Sequence, residues 1–180
     1  MTPEYYRQLY EYNSWANHEL WKCAMQLTDA QWDEDLHYSI GTVRRQLTHT
    51  MQVEAWWLRF LKTGEIVFLE NDYSFNHRDA IHADWDGVEA ANLDYIASLT
   101  DAELHRTVKP FFWEETDPPI HVWQALSQVL NHSTDHRAQT LAGLHRLGGP
   151  TFEQDYVYYL TTRGEAEAPI TTGAREGVTR

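Results

Sequence analysis

The residues of this chain with the clearest chemical potential are His132 and His136, which stand four positions apart in a segment reading NHSTDHR. The segment predicts a long helix from Ile120 to about Leu147, because no proline interrupts it before Pro150. A spacing of four advances a helix by just over one turn, so both imidazoles project from one face and could bind one metal ion. The pair alone does not define a site, because a metal centre needs further ligands.

His49 is the candidate third ligand. It lies in a second predicted helix, over 43–62, on an apolar stripe with Val53 and Trp56. An unpartnered imidazole on a buried face would cost about 1 to 3 kcal/mol, so this ring must bind something. Two readings stay open: a metal ion shared with the histidine pair, or a hydrogen bond to a neighbouring side chain.

Other side chains near the pair are weaker candidates. Glu54 and Arg137 could orient ligands or could pair structurally within the fold, and Asp135 points away from the pair as a solvated or orienting group. Ser133 occupies the position at which the HExxH zinc proteases carry their general-base glutamate, which disfavours protease activity. His121 shares the face of His132 but lies about 16 Å along the helix at 1.5 Å per residue, too far for the same ion.

Four long helices are predicted to position these residues. They run from Pro3 to about Leu27, over 43–62, from Trp85 to Leu99, and from Ile120 to about Leu147. Long connections follow the second and third helices, which predicts an all-α helical bundle with long crossover connections instead of a plain up-and-down series.

The first helix carries an apolar stripe whose members are spaced by three or four. Its members are Tyr5, Leu9, Tyr12, Ala16, Leu20, Cys23 and Leu27. Cys23 lies within this stripe and is read as a small buried hydrophobic residue, against the alternative of a reactive thiol, because no cationic side chain is placed to activate it.

Composition excludes several classes of protein. The chain has 180 residues, 42% of them apolar, which suits one globular domain, predicted over 1–163 with a flexible tail over 164–180. A net charge of −13 opposes nucleic-acid binding. We expect no signal peptide and no membrane span, and the lone Cys23 precludes an intrachain disulfide framework, so a cytoplasmic location is predicted.

Several motifs together resemble the DinB family. They are YNSWAN at 12–17, GTVRRQLTH at 41–49 with Glu54 and Trp56-Trp57 after it, NHSTDHRAQ at 131–139, and the closing Leu147-Gly148 with DYVYYL at 155–160. The resemblance covers about residues 1 to 160 in the expected order. One departure is Ala138, where the commonest family form has glycine.

The resemblance implies a four-helix bundle of the DinB type that holds a divalent metal through one histidine of the second helix and two of the fourth. Carried onto this chain, the implied ligands are His49, His132 and His136. It also implies a homodimer. Three neutral imidazoles suit Zn or Ni above all, with Fe, Mn or Cu as alternatives.

Related thiol-dependent enzymes imply a function for such a site. The leading hypothesis is a metal-dependent thiol S-transferase or isomerase that acts on small electrophiles in stress or detoxification, with a low-molecular-weight thiol as cosubstrate. The alternatives are a metal-dependent hydrolase and a non-catalytic metal-binding stress-response protein. The substrate itself is not predicted beyond its being a small molecule.

Overall fold

The computed structural model describes residues 1–67 and 77–162, and in these residues the chain is predominantly helical. The long helices are α1 (Pro3–Ala24), α3 (Val43–Thr63), α4 (Arg78–Ala97) and α6 (Val122–Arg146). The short ones are α2 (Asp29–Trp32), α5 (Asp101–His105) and α7 (Tyr156–Thr162). One antiparallel pair, β1 (Thr107–Val108) with β2 (Ile120–His121), supplies the strands of the described ranges. The predicted all-α fold is confirmed.

Local sequence signals explain where several helices begin and end. The Thr28 hydroxyl accepts a hydrogen bond from the backbone N–H of Gln31, and the Gln31 side chain accepts one from the N–H of Thr28, which completes the capping box of α2. The Thr42 hydroxyl accepts a bond of 3.1 Å from the N–H of Arg45 at the start of α3. Gly64 ends α3 with a φ of +76°, a conformation that favours glycine.

The predicted start of the third long helix was wrong. Helix α4 begins at Arg78, seven positions before Trp85, because the His77 side chain caps it by accepting a hydrogen bond from the N–H of Asp79. Ile81 and Trp85 lie one turn apart on its inner face and are both fully or almost fully buried. Their apolar contacts extend the helix into a segment whose composition is otherwise polar.

The chain divides into two compact units. The first comprises Met1–Asn13 and Thr48–Asp135, and the second comprises Ser14–Leu47 and His136–Arg180, so the boundaries fall inside α1, α3 and α6. The first unit has a core in which tyrosines of α1 lie among apolar side chains of α3, α4 and α6. The Tyr6 hydroxyl donates a hydrogen bond of 2.7 Å to the carbonyl of Trp123 and lies 2.8 Å from the Ser127 hydroxyl oxygen.

The second unit packs α1 against α2 and α6. The Trp21 and Trp32 rings lie 6.0 Å apart between centroids. Gly143 of α6 passes so close to Leu36 that a Cβ at that position would lie 2.6 Å from Cδ1 of Leu36. The Arg146 guanidinium donates a hydrogen bond of 2.6 Å to the carbonyl of Leu36, which fastens the loop after α2 to the end of α6.

Two predictions concern the C-terminal tail and membrane-spanning segments. The tail predicted over 164–180 lies outside the described residues. Among the helices that are described, none combines the length and the apolar character that crossing a membrane requires.

Candidate metal centre

Helices α3 and α6 bring His49 and His132 together within the first unit. The two Nε2 atoms lie 3.1 Å apart, although 83 positions separate the residues along the chain. The ring centroids are 5.0 Å apart at an interplanar angle of 51°. The imidazoles therefore meet tip to tip instead of stacking, which aims two ring nitrogens at the same point.

His136 follows His132 by one turn of α6 and is held by Gln46. The Nδ1–H of His136 donates a hydrogen bond of 2.8 Å to Oε1 of Gln46. The Gln46 amide nitrogen in turn donates to Oε1 of Gln139 at 3.3 Å, which orients the amide with its oxygen toward the histidine. Because Nδ1 carries the proton, Nε2 of His136 keeps its lone pair and can act as a metal ligand.

Ring nitrogens of all three predicted ligands converge. One nitrogen from each of His49, His132 and His136 lies within 4.8 Å of the other two. Zinc binds histidine nitrogen at about 2.0 to 2.1 Å, which places tetrahedral ligand nitrogens about 3.3 to 3.4 Å apart. The spacing of the cluster is therefore within a small side-chain movement of a metal site, and an all-imidazole donor set suits Zn and the later first-row metals.

A buried carboxylate network lies directly beside His132. Glu54 of α3 is only 4% exposed, and its Oε1 accepts hydrogen bonds from the Ser133 hydroxyl at 2.5 Å and from the Asn13 amide at 3.0 Å. Ser133 is the neighbour of His132 in α6, so this network fixes the rotation of α6 at the histidine. The Ser133 hydroxyl is committed to Glu54 and is fully buried.

The charged residues flanking His136 have separate roles. Arg137 is 1% exposed and donates hydrogen bonds of 2.9 Å to the side-chain oxygens of Asn17 and Gln154. These contacts support the structural reading of Arg137. Asp135 is exposed, in agreement with a solvated group.

Cys23 is fully buried on α1. Burial, and to a smaller extent the nearby Glu19 carboxylate, raise the pKa of its thiol from 9.0 to about 11. The residue is therefore a poor nucleophile, which supports its reading as a small hydrophobic side chain.

The remaining histidines lie elsewhere. His77 caps α4, and Nδ1 of His121 lies 2.9 Å from the carbonyl oxygen of His105. Among His, Cys, Asp and Glu of the described ranges, the His49, His132 and His136 cluster is the group of three or more whose ligand atoms could hold a metal ion.

These observations define an all-α protein with a three-histidine cluster that could hold a metal ion. The chain belongs to the DinB family, whose model matches residues 1–169. The predicted resemblance and the DinB-type fold are confirmed.

Two solved structures share the fold. A DinB-like protein from Bacillus cereus ATCC 10987 is 18% identical, with 76% of this chain and 88% of that one covered and a TM-score of 0.60. The DinB-like protein YjoA from Bacillus subtilis is 12% identical, with 90% and 95% covered and a TM-score of 0.56. Likeness at this identity shows the fold alone. No curated protein matches the chain.

Sequence reasoning did not identify Gln46 or Asn13 as parts of the site. A signal for Gln46 exists, since it follows Val43 by three positions and so falls on the stripe that Val43 and Leu47 define. All three residues are fully buried. A polar side chain on a buried stripe must find a partner, and here it finds His136.

Proposed function

We propose that His49, His132 and His136 bind a divalent metal ion and that the protein is a metal-dependent thiol S-transferase or isomerase acting on small electrophiles. The observation that carries the proposal is the convergence of three ring nitrogens, together with the hydrogen bond from Nδ1 of His136 to Gln46 that makes Nε2 the ligating nitrogen of His136. The His49 and His132 side chains are partly accessible and His136 is 9% exposed, so a small molecule can approach the cluster from the side of His49 and His132.

The donor set favours catalysis over a structural role. Structural zinc sites are closed by four protein ligands, whereas three histidines leave a position open. An ion bound by the three histidines would supply a Lewis-acid centre, and a thiol or water at its open position would have a lowered pKa.

The chain's own residues favour an external thiol as the nucleophile. Cys23 has a raised pKa and is fully buried, so it is poorly suited to attack an electrophile. Ser133 is hydrogen-bonded to Glu54 and buried, so it is equally unsuited. A low-molecular-weight thiol cosubstrate would supply the nucleophile that neither Cys23 nor Ser133 can provide.

The first experiment measures metal content and thiol turnover together. Purified protein would be analysed for bound Zn, Ni, Fe, Mn and Cu, then mixed with a panel of thiols and a chromogenic electrophile. The His132→Ala variant removes one proposed ligand. The matched control is His145→Ala, which removes an exposed imidazole from the last turn of the same helix.

The outcomes separate the three hypotheses. Metal-dependent consumption of thiol with electrophile supports the transferase, and loss of electrophile without thiol supports a hydrolase. Tight metal binding without either reaction supports a non-catalytic metal-binding stress-response protein. Equal metal content in wild type and His132→Ala would refute the metal site itself.

Two further proposals concern assembly, which the family resemblance implies, and location, which the lone Cys23 and the expected lack of a signal peptide imply. A homodimer is to be tested by light scattering coupled to size-exclusion chromatography. A cytoplasmic location is to be tested by cell fractionation.

A further inference from the structure

Two neighbouring contacts join α3 to α6 within the first unit. One is the meeting of His49 with His132, whose Nε2 atoms lie 3.1 Å apart. The other is the hydrogen bond of 2.5 Å that the Ser133 hydroxyl donates to Oε1 of Glu54. Each contact takes one residue from each helix, and His132 and Ser133 are consecutive in α6. The position of Ser133 against α3 therefore limits where His132 can lie.

The two contacts use different sides of each helix. Glu54 follows His49 by five positions, which at 1.5 Å and 100° per residue is about 7.5 Å along α3 and about 140° around it. Ser133 follows His132 by one position, which is about 100° around α6. A roll or a slide of α6 against α3 would therefore break at least one of the two contacts.

The bond between Ser133 and Glu54 is shielded from water and supported from a third helix. Glu54 is 4% exposed, and Ser133 is fully buried. Asn13 of α1 is also 4% exposed and donates a hydrogen bond of 3.0 Å to the same Oε1 atom of Glu54. Leaving a buried polar group without its partner is unfavourable, so the fold favours the one arrangement that pairs all three side chains.

Burial also decides between two roles for Glu54. A general base must come within hydrogen-bond distance of the proton that it takes, directly or through one water. The Glu54 side chain is almost fully buried, and its Oε1 already accepts two hydrogen bonds. It is therefore poorly placed to take a proton from a molecule at the histidines. A role that acts through Ser133 and α6 fits these contacts better.

We propose that Glu54 and Ser133 are positioning residues of the histidine cluster, and that their hydrogen bond fixes the distance and the angle at which His132 meets His49. Asn13 holds the Glu54 carboxylate toward α6. The inference rests on the proposed metal binding by the three histidines.

The test compares two serine-to-alanine variants of α6 in the full-length protein. Ser133→Ala removes the bond to Glu54. Ser127→Ala is the matched control, because it removes a hydroxyl that lies 2.8 Å from the hydroxyl of Tyr6 in α1, six positions before Ser133. Competition with a chromophoric chelator measures the Kd for Zn, and the visible absorption of Co²⁺ bound in place of Zn reports the ligand geometry. The melting temperature gives the general effect on stability.

We expect Ser133→Ala to raise the Kd for Zn about tenfold, the lower end of the usual effect of losing an orienting partner of a ligand histidine. The same variant should shift the Co²⁺ absorption bands. Ser127→Ala should keep the wild-type Kd and bands even if its melting temperature falls. Glu54→Gln should also keep the wild-type bands, because its amide oxygen can accept the hydrogen bonds from Ser133 and Asn13.

A purely structural role of the Ser133 hydroxyl predicts a different result. Ser133→Ala would then melt at a lower temperature, but its folded form would keep the wild-type Kd for Zn and the wild-type Co²⁺ bands. That result would overturn the proposal while leaving the metal site intact, and so would equal effects of Ser133→Ala and Ser127→Ala on the Kd. A wild type that bound neither Zn nor Co²⁺ would instead refute the proposed metal site, and this inference with it.

Discussion

The Nδ1–H of His136 donates a hydrogen bond of 2.8 Å to the side-chain oxygen of Gln46, which is fully buried. This bond decides which nitrogen of His136 carries the proton. A free neutral imidazole can exchange its proton between both nitrogens, whereas this one is held with Nε2 unprotonated. Under the proposed metal binding, Nε2 is therefore the nitrogen of His136 that would bind the ion.

Removing the Gln46 acceptor should weaken metal binding without removing a ligand. We expect Gln46→Leu to raise the Kd for Zn by about 10- to 100-fold, the usual effect of losing an orienting partner of a ligand histidine. Competition with a chromophoric chelator measures the Kd, and ¹⁵N chemical shifts of the ring measure the His136 tautomer in the metal-free protein. Gln46→Glu keeps an acceptor and should keep the Nδ1–H form. Unchanged affinity and tautomer in Gln46→Leu would show that the hydrogen bond is unimportant.

Metal binding should stabilise the folded chain. A ligand at 100 times its Kd contributes about 2.7 kcal/mol, and about 2 to 4 °C of melting temperature is expected per kcal/mol for a chain of this size. Excess Zn should therefore raise the melting temperature of the metal-free wild type by roughly 5 to 10 °C. Differential scanning calorimetry measures the shift. His145→Ala should shift equally and His132→Ala hardly at all.

The hydrogen bond from Ser133 to Glu54 should contribute to stability. Ser133→Ala leaves a buried carboxylate short of one donor, and we expect the free energy of unfolding to fall by about 1 to 3 kcal/mol. Urea denaturation measures the change. In a Glu54→Gln background the same substitution should cost at least about 0.5 kcal/mol less, because the two groups are coupled. Strict additivity would contradict the proposed coupling.

Cys23 should be nearly inert in the folded protein. With its pKa raised from 9.0 to about 11, its thiolate fraction at pH 8 is about 100-fold below that of an ordinary thiol. Iodoacetamide labelling followed by mass spectrometry should modify unfolded protein far faster than folded protein. The raised pKa also means that the stability due to the protonated thiol is complete below pH 9 and is lost as the pH rises from 9 to about 11. Cys23→Ala should lack this alkaline loss.

Glu103 should contribute to stability at neutral pH and lose that contribution in acid. Hydrogen bonds from the Arg106 guanidinium and from the Tyr95 hydroxyl lower the pKa of its carboxyl below 4.5. A carboxylate with a lowered pKa stabilises the fold above its unfolded pKa, and the effect disappears as the pH falls through the folded pKa. Unfolding free energies at pH 7 and pH 3 should therefore differ less in Glu103→Gln than in wild type. Glu114→Gln, at an exposed loop position, is the matched control.

The helices and the cluster of three histidines were predictable because their signals are local or periodic. Breakers and caps placed α3 and α6, and a spacing of four placed His132 and His136 on one face. The apolar stripe that contains His49 made this residue the candidate third ligand, and the DinB resemblance implied the same residue. The proximity of His49 to the pair is a contact between distant parts of the sequence, and no local sequence pattern can reveal it.

The inner face of α1 was predicted only in part. Ala16, Leu20, Cys23 and Leu27 are buried as predicted, but Tyr5 is 46% exposed while Tyr6 and Tyr10 lie inside. Adjacent tyrosines have equal hydrophobicity, so periodicity could not choose between them. The choice depends on hydrogen bonds from the tyrosine hydroxyls to backbone carbonyls of α6, more than 110 positions away.

The sequence could not predict which side chains form hydrogen bonds around the three histidines. Gln46, Gln139 and Asn13 have ordinary polar side chains whose partners are set by packing. Their roles depend on differences of a few tenths of an ångström in the distances between helices. The pattern of apolar residues predicts only which face of each helix is buried.

The separation of 83 positions between His49 and His132 has a consequence for the lifetime of the protein in the cell. An ion that bridges them joins distant parts of the chain only while the chain is folded, so metal shortage raises the fraction of unfolded molecules open to proteases. Under the proposed metal binding, the abundance of this protein would follow the supply of its metal even if its synthesis stayed constant.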